Sequence, residues 1–338
     1  MARQNQTIAS LFDAGDDAVF DWAAAAPIAM ACMNMANDSG LTEMVLAGPA
    51  PLEDLARRIG APPDKLRRVV NYLAAHGLLA VGADGTVSAT PHTASMRRYA
   101  AALKINIVRT IAGSHLLDGL QQGVTPFEAA YGRSVFAHLA AEPELGAVFA
   151  DYMGFMTDRV LAFLHADHPF APFETAVDVG GSFGALLLSV LEHYPGTRGI
   201  LFDLPNVLAQ AEPRIRASQF SDRVALVAGD FFETAPPADL YLIKQILHDW
   251  EDADCVRILA AIRKSIAPGG RIAVIDHLLE EPPTPGEALS TDIGMMIWSP
   301  GRERTQKDFE ALFADSGFRL GRVTPNPNGH SVIEAAPA

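Results

Sequence analysis

The run ILHDWED holds His248 and Asp249, and a further acid, Asp276, closes the later segment APGGRIAVID. Histidine titrates near neutral pH and can remove a proton from a phenol or similar acidic group when a neighbouring carboxylate orients it. Upstream, TAVDVGGSFG (175 to 184) carries an apolar run, Ala176 to Val179, into a glycine pair, and helix-compatible residues resume at Ala185 to Leu191. That pattern is strand, tight turn, helix. Gly180, Gly181 and Gly184 would let the backbone approach a nucleotide-like cofactor, and the helix that follows would point free N–H groups at it. The same residues could also form a turn that only connects two elements.

The details of the stretch select among cofactors. A dinucleotide fingerprint has the form G-x-G-x-x-G, whereas Ser182 stands here where the second glycine belongs and Asp178 sits in the strand end. A carboxylate there would repel a pyrophosphate and suit an ammonium group, such as the methionine end of S-adenosyl-L-methionine (SAM). A NAD-dependent oxidoreductase is weakened accordingly. Asp203 ends the next strand-like segment, where a carboxylate can accept both hydroxyl hydrogens of a ribose. Asp230 and Phe231, in GDFF, suit the amino group and face of an adenine, and Lys244 ends a further strand.

The elements that must position these residues follow from periodicity. Strand-like segments at Arg198 to Phe202, Val224 to Val227, Asp239 to Ile243 and Arg271 to Ile275 alternate with helical stretches at Val207 to Ala217 and Ala253 to Ile266. This implies an α/β fold with a parallel sheet covered on both faces, binding its ligand at the carboxyl ends of the strands. Before it, residues 16 to 44 read as two apolar helices divided near Pro27, with a face that the rest of the chain or a second subunit must cover. In Pro51 to Thr90, Leu52, Leu55, Ile59, Leu66, Val69, Val70 and Leu73 form one apolar face across two helices, and Ala83-Asp84-Gly85 supplies a hairpin turn. That is a winged-helix arrangement, serving either DNA or dimerisation and substrate enclosure. Helices continue from Lys104 to His165 with breaks near Gly123 to Pro126, Gly132 and Pro143, and Phe149, Met153, Phe155 and Met156 recur at spacings that put several on one side of a helix, with core packing explaining most of them. PFAPF (169 to 173) reads as a linker.

Composition narrows the partners. The chain has 338 residues, 49% hydrophobic and 20% charged, and a net charge of -14, so two domains can each bury a core. The acidic balance argues against nucleic acid or an anionic membrane as partner. Cys32 and Cys255 are far apart and outside any metal or disulfide spacing, so reduced thiols in a cytoplasm are expected. MARQNQTIAS lacks the apolar core of an export signal, and no charge-free apolar run is long enough to span a membrane.

In combination, DVGGSFG, FDLP, GDFF, LIKQILHDWED, APGGRIAVID and GRERTQKDFEALFADSGF resemble the SAM-dependent O-methyltransferases of plant phenolic and bacterial natural-product metabolism. The resemblance covers nearly the whole chain. It implies a Rossmann-like class I methyltransferase sheet (171–338) behind a mainly helical winged-helix dimerisation domain (1–100), with a helical connector (101–170) contributing to the substrate pocket. It further implies a homodimer, SAM contacts from Gly180, Asp203, Asp230, Phe231 and Lys244, and S-adenosyl-L-homocysteine (SAH) as product. His248 becomes the general base, flanked and oriented by Asp276 and Glu303. Phe149, Met153, Asp249, Met296 and Trp298 would face a small aromatic substrate. No metal is implied, since a histidine base makes one unnecessary. The family's Asn-Pro-Gly-Gly stretch is shortened here to Trp298-Ser299-Pro300-Gly301, which argues for a flat, apolar, polycyclic or heteroaromatic acceptor over a phenylpropanoid. Transfer to nitrogen or carbon, a SAM-dependent relative that does not methylate, and a winged-helix ligand-responsive regulator are the competing readings.

Overall fold

The computed structural model describes residues 16–326 and 329–338; MARQNQTIAS, read above for an export signal, lies outside the described residues. The chain separates into two compact units, Met1–Ile111 and Ala112–Ala338. Among the described residues no helix is long and apolar enough to cross a membrane.

In the first unit, α1 (Asp16–Asp38) runs straight through Pro27, which corrects the expected division there. A proline removes one N–H donor from a helix, and the surrounding alanines and methionines, good helix formers, carry the helix past it. The break falls at Gly40, whose φ of 74° suits a residue without Cβ, and α2 (Leu41–Ala47) follows. Helices α3 (Leu52–Ile59) and α4 (Pro63–Ala75) come next, the second with proline in its first turn, where the missing N–H is no loss. Strands β1 (Ala50–Pro51), β2 (Leu79–Val81) and β3 (Thr86–Ala89) form an antiparallel sheet in the order β1-β3-β2. Its turn is pinned by Asp84, which accepts from the N–H (3.0 Å) and Oγ1 (2.9 Å) of Thr86. Leu52, Leu55, Leu66, Val70 and Leu73 are buried in one core, with Ile59 and Val69 packed against it. Helices α5 (Thr93–Arg98) and α6 (Ala100–Gly113) complete the order up to the boundary.

The second unit begins with α7 (Leu116–Gln122), α8 (Pro126–Tyr131), α9 (Val135–Ala141) and the long α10 (Pro143–Asp167). The breaks fall where turn residues stand. Thr125 and Glu128 form a reciprocal capping box at the start of α8. The central sheet is built from β4 (Thr175–Val179), β5 (Arg198–Asp203), β6 (Val224–Ala228), β7 (Ala238–Lys244) and β8 (Ile266–Asp276). Its connections carry α11 (Ala185–His193), α12 (Pro205–Ala217) and α13 (Asp252–Ser265). The short β9 (Leu278–Leu279), α14 (Glu287–Trp298), β10 (Arg304–Thr305), α15 (Gln306–Asp315), β11 (Phe318–Thr324) and β12 (Ser331–Pro337) follow.

The seven-stranded order is β11-β12-β8-β7-β4-β5-β6. Five strands are parallel, and β12 returns antiparallel to β8. Alternate side chains feed two cores. Val177, Tyr241, Ile243 and Val274 belong to one, with Ile258 of α13 and Phe309 of α15. Ala176, Leu240, Leu242 and Ala273 belong to the other, with Leu187 of α11 and Ile215 of α12. A strand buried on both faces reads as an unbroken apolar run. Phe170 and Phe173 of the PFAPF segment are buried in that second core too. Replacing Leu242, fully buried in a central strand, by alanine should lower the unfolding free energy of this unit by about 2–5 kcal/mol, read as a drop in the urea midpoint.

Candidate active site

The parallel register aligns the carboxyl ends of the strands: Val179 pairs with Phe202, Asp203 with Ala228, and Lys244 with Ile275. Each strand therefore delivers its next residue to the same edge, where a cavity of about 650 Å³ opens. The six residues expected to hold the cofactor, Asp178, Gly180, Asp203, Asp230, Phe231 and Lys244, all line it. So do Phe149, Met153 and Asp249.

Local geometry explains how. Gly180 has φ 62°, and a Cβ there would stand 2.6 Å from Ile246 Cδ1, so only glycine leaves the backbone open to a ligand. Ser182 itself adopts φ 51°, and its N–H donates to Asp203 Oδ2 at 2.9 Å while Leu204 N–H donates to Oδ1 at 2.7 Å. Two backbone donors thus orient the Asp203 carboxylate and leave further lone pairs for a diol. Asp178 accepts from Leu187 N–H at 3.3 Å, and Asp230 from Phe232 N–H at 2.9 Å. Lys244 Nζ donates to Gln245 Oε1 at 2.6 Å.

After β7 the chain turns through Gln245, held at φ 53° with its N–H shared by Ile275 O (3.1 Å) and Asp276 Oδ1 (2.9 Å). A single 3₁₀ turn, Leu247–Asp249, then presents the histidine. His248 Nδ1 lies 2.8 Å from Glu303 Oε1, and Nε2 lies 4.0 Å from Asp249 Oδ1. Glu303 is itself fixed, because its N–H donates to Asp292 Oδ1 at 3.0 Å. Asp276 Oδ1 accepts from the Gln245 N–H, and its Oδ2 has no hydrogen-bond partner among the described residues.

His248, Asp276 and Glu303 are buried at 5%, 0% and 1% exposure and are not among the residues that line the cavity, of which Asp249 is one. Met296 and Trp298 do not line it either. The Trp298 ring backs Phe149, stacked at 6.1 Å, and meets Phe127 edge-on at 5.2 Å. Other lining residues were not picked out from the sequence. Asn206, Gln210 and Arg214 line one side from α12, and their spacing of four was a readable stripe on one helix face. Trp250 lay in plain view after His248 and Asp249. Gln245 gave no signal, since a positive φ at glutamine is a product of folding.

Burial dominates the electrostatics. It raises the carboxyls of Asp249 and Asp276 to about 7 and that of Glu303 to about 8, and raises Asp178 to about 7. Burial also lowers Lys244 to about 8, against the pull of Asp178, Asp276 and Asp249. A carboxyl raised in the folded state keeps a proton that the unfolded chain has already released, so its contribution to stability is full at low pH and is lost as pH climbs through the folded value. Asp276→Asn removes one such titration. Relative to the parent, its unfolding free energy in urea should gain about 2 kcal/mol between pH 5 and pH 8.

The O-methyltransferase domain family model matches residues 114–319. The chain is 33% identical over 305 residues to phenazine O-methyltransferase PhzM of Lysobacter antibioticus, covering 88% of this chain and 89% of that protein. Among solved structures, mitomycin 7-O-methyltransferase MmcR superposes with TM-score 0.86 at 31% identity, over 98% of this chain and 100% of that one. A methyltransferase of calicheamicin biosynthesis, in its SAH-bound form, superposes with TM-score 0.73 at 30% identity, over 91% and 94%. With its Rossmann-like class I sheet, and with the residues expected to hold the cofactor lining one cavity, this chain belongs to the O-methyltransferase family and is a SAM-dependent O-methyltransferase.

Proposed function

We propose that the enzyme methylates a hydroxyl of a flat aromatic or polycyclic natural-product acceptor, with His248 as general base. The observation that carries this reading is the 2.8 Å contact of His248 Nδ1 with Glu303 Oε1. When Glu303 accepts from Nδ1–H, the ring's lone pair is left on Nε2, beside the cavity-lining Asp249. Nε2 then takes the acceptor's hydroxyl proton, and the buried negative charge of Asp249 and Asp276 stabilises the imidazolium that results. Because burial raises Glu303 to about 8, a protonated Glu303 at lower pH donates to Nδ1 and moves the ring proton to Nε2, which disables the base.

The cavity residues fit SAM: Asp203 for the ribose hydroxyls, Asp230 and Phe231 for the adenine, Asp178 and the open backbone at Gly180 for the methionine end. When bound, SAM supplies an electrophilic methyl group on a sulfonium. Phe136, Leu139, Phe149, Met153 and Trp250 give the remaining wall an apolar, aromatic character, suited to the rings of relatives' substrates such as phenazine. Holding acceptor and methyl donor in line is worth several kcal/mol. Exposed Phe20, Trp22 and Ile28 on α1 support the reading of the N-terminal unit as a dimerisation domain in a homodimer.

Calorimetric titration with SAM should show binding that Asp203→Ala weakens by at least about tenfold, the value of one well-placed charged hydrogen-bond pair. Hydroxyphenazine and 1,4-dihydroxy-2-naphthoic acid are the acceptors to offer in the assay. His248→Ala should reduce kcat by about 10²–10⁴-fold with little change in SAM affinity, and turnover by the parent should rise from pH 6 toward pH 8. Equal turnover by parent and His248→Ala would remove histidine from the chemistry.

A further inference from the structure

Arg304 is the largest side chain among the fully buried ones, at 1% exposure, and nothing in the reaction as described uses it. Its guanidinium spreads over the turn that carries the base. Nη1 donates to Leu247 O at 2.8 Å and Nη2 to Trp250 O at 2.9 Å. Nε and Nη2 also reach Asp252 Oδ1, at 3.0 and 2.7 Å, and Nη2 meets Cys255 Sγ at 3.3 Å. The two carbonyls stand immediately before and after His248–Asp249, so one rigid fork holds both ends of the turn and ties it to the first residues of α13. Lysine offers a single point of charge and cannot bridge these partners. Gly301, three residues earlier, closes the other side: a Cβ there would collide with His248 O, Asp249 C and Trp250 N.

We propose that Arg304 and Gly301 are positioning residues that clamp the Leu247–Trp250 turn, Arg304 by stapling its carbonyls and Gly301 by letting the chain lie flat on its backbone. Segment 301–304 thereby supplies the base's hydrogen-bond partner, Glu303, and fixes the backbone that carries the base. The catalytic meaning of the clamp rests on the reading of His248 as base, but the clamp itself is a mechanical claim and can be measured without an acceptor.

The measurement is hydrogen–deuterium exchange on the full chain saturated with SAH. In Arg304→Lys, amides 247 to 251 should exchange about tenfold faster or more, as expected for losing hydrogen bonds to a charged donor, and in Gly301→Ala the same amides should exchange faster because the added Cβ pushes on that backbone. Peptides from β7 and β8 should stay within about twofold and SAM affinity within about threefold on the same argument. Should Arg304→Lys fail to fold, Asp252→Asn preserves shape while removing the anion at the half-exposed end of the fork, and a smaller acceleration confined to the same amides is expected. Unchanged exchange at 247 to 251 overturns the clamp. So does acceleration spread evenly over the sheet, which would make Arg304 a general support of the fold. With an acceptor that the parent turns over, the clamp variants should lose kcat while the acceptor KM holds. If His248→Ala keeps full turnover, the base reading fails and the exchange result still decides the clamp.

Discussion

The contact between His248 Nδ1 and Glu303 Oε1 joins residues 55 positions apart in the chain, and most of this enzyme's second unit can be understood as what makes it possible. The histidine is at the exit of β7. The glutamate lies past β8 and α14, just before β10, whose Arg304 and Thr305 pair in parallel with Leu278 and Leu279 of β9. That short pairing returns segment 301–304 to the edge of the sheet where β8 ends in Asp276. A shift in the β7–β8 register, which pairs Lys244 with Ile275, would move Gln245, Asp276 and the Leu247–Asp249 turn together, because the Gln245 N–H spans Ile275 O and Asp276 Oδ1.

This arrangement keeps several ionisable groups out of water in close company. Desolvation is the largest influence on Asp178, Asp203, Lys244, Asp249, Asp276 and Glu303 alike. Charge burial of that kind is unfavourable unless partners and hydrogen bonds compensate. The two apolar cores on the faces of the sheet are the counterweight: their side chains hold the strand ends in place irrespective of the polar groups at the rim. Proton affinities displaced toward neutrality are also what acid–base chemistry near pH 7 requires, so the same dryness that strains stability prepares the site.

Much of this was legible before folding. Val177, Leu240, Ile243 and Val274 lie in strands buried on both faces, and such strands appear as short continuous apolar runs. The polar residues Asp203, Asp230 and Lys244 were readable by position as the carboxyl edge of the sheet, where the cavity opens. Less legible were features that depend on context. Pro27 reads as a boundary because a proline usually ends a helix, yet the residues around it were strong enough formers to continue. Trp298 reads as a pocket wall, yet its ring stacks behind Phe149. Arg304 drew no notice because an arginine in a charged motif resembles a solvated one.

Residue types and their order thus suffice for the class of fold and the cofactor chemistry, since each rests on local pattern or on chemical identity, whereas the pairing of His248 with Glu303 came from family resemblance alone. Which ring nitrogen of His248 meets Glu303, that Asp276 Oδ2 is left without a hydrogen-bond partner among the described residues, that Asp249 lines the cavity, and that Arg304 bonds the carbonyls on either side of His248–Asp249 all belong to folding. These depend on distances between segments far apart in the chain, and such distances are set only when the strands take their register and the cores close.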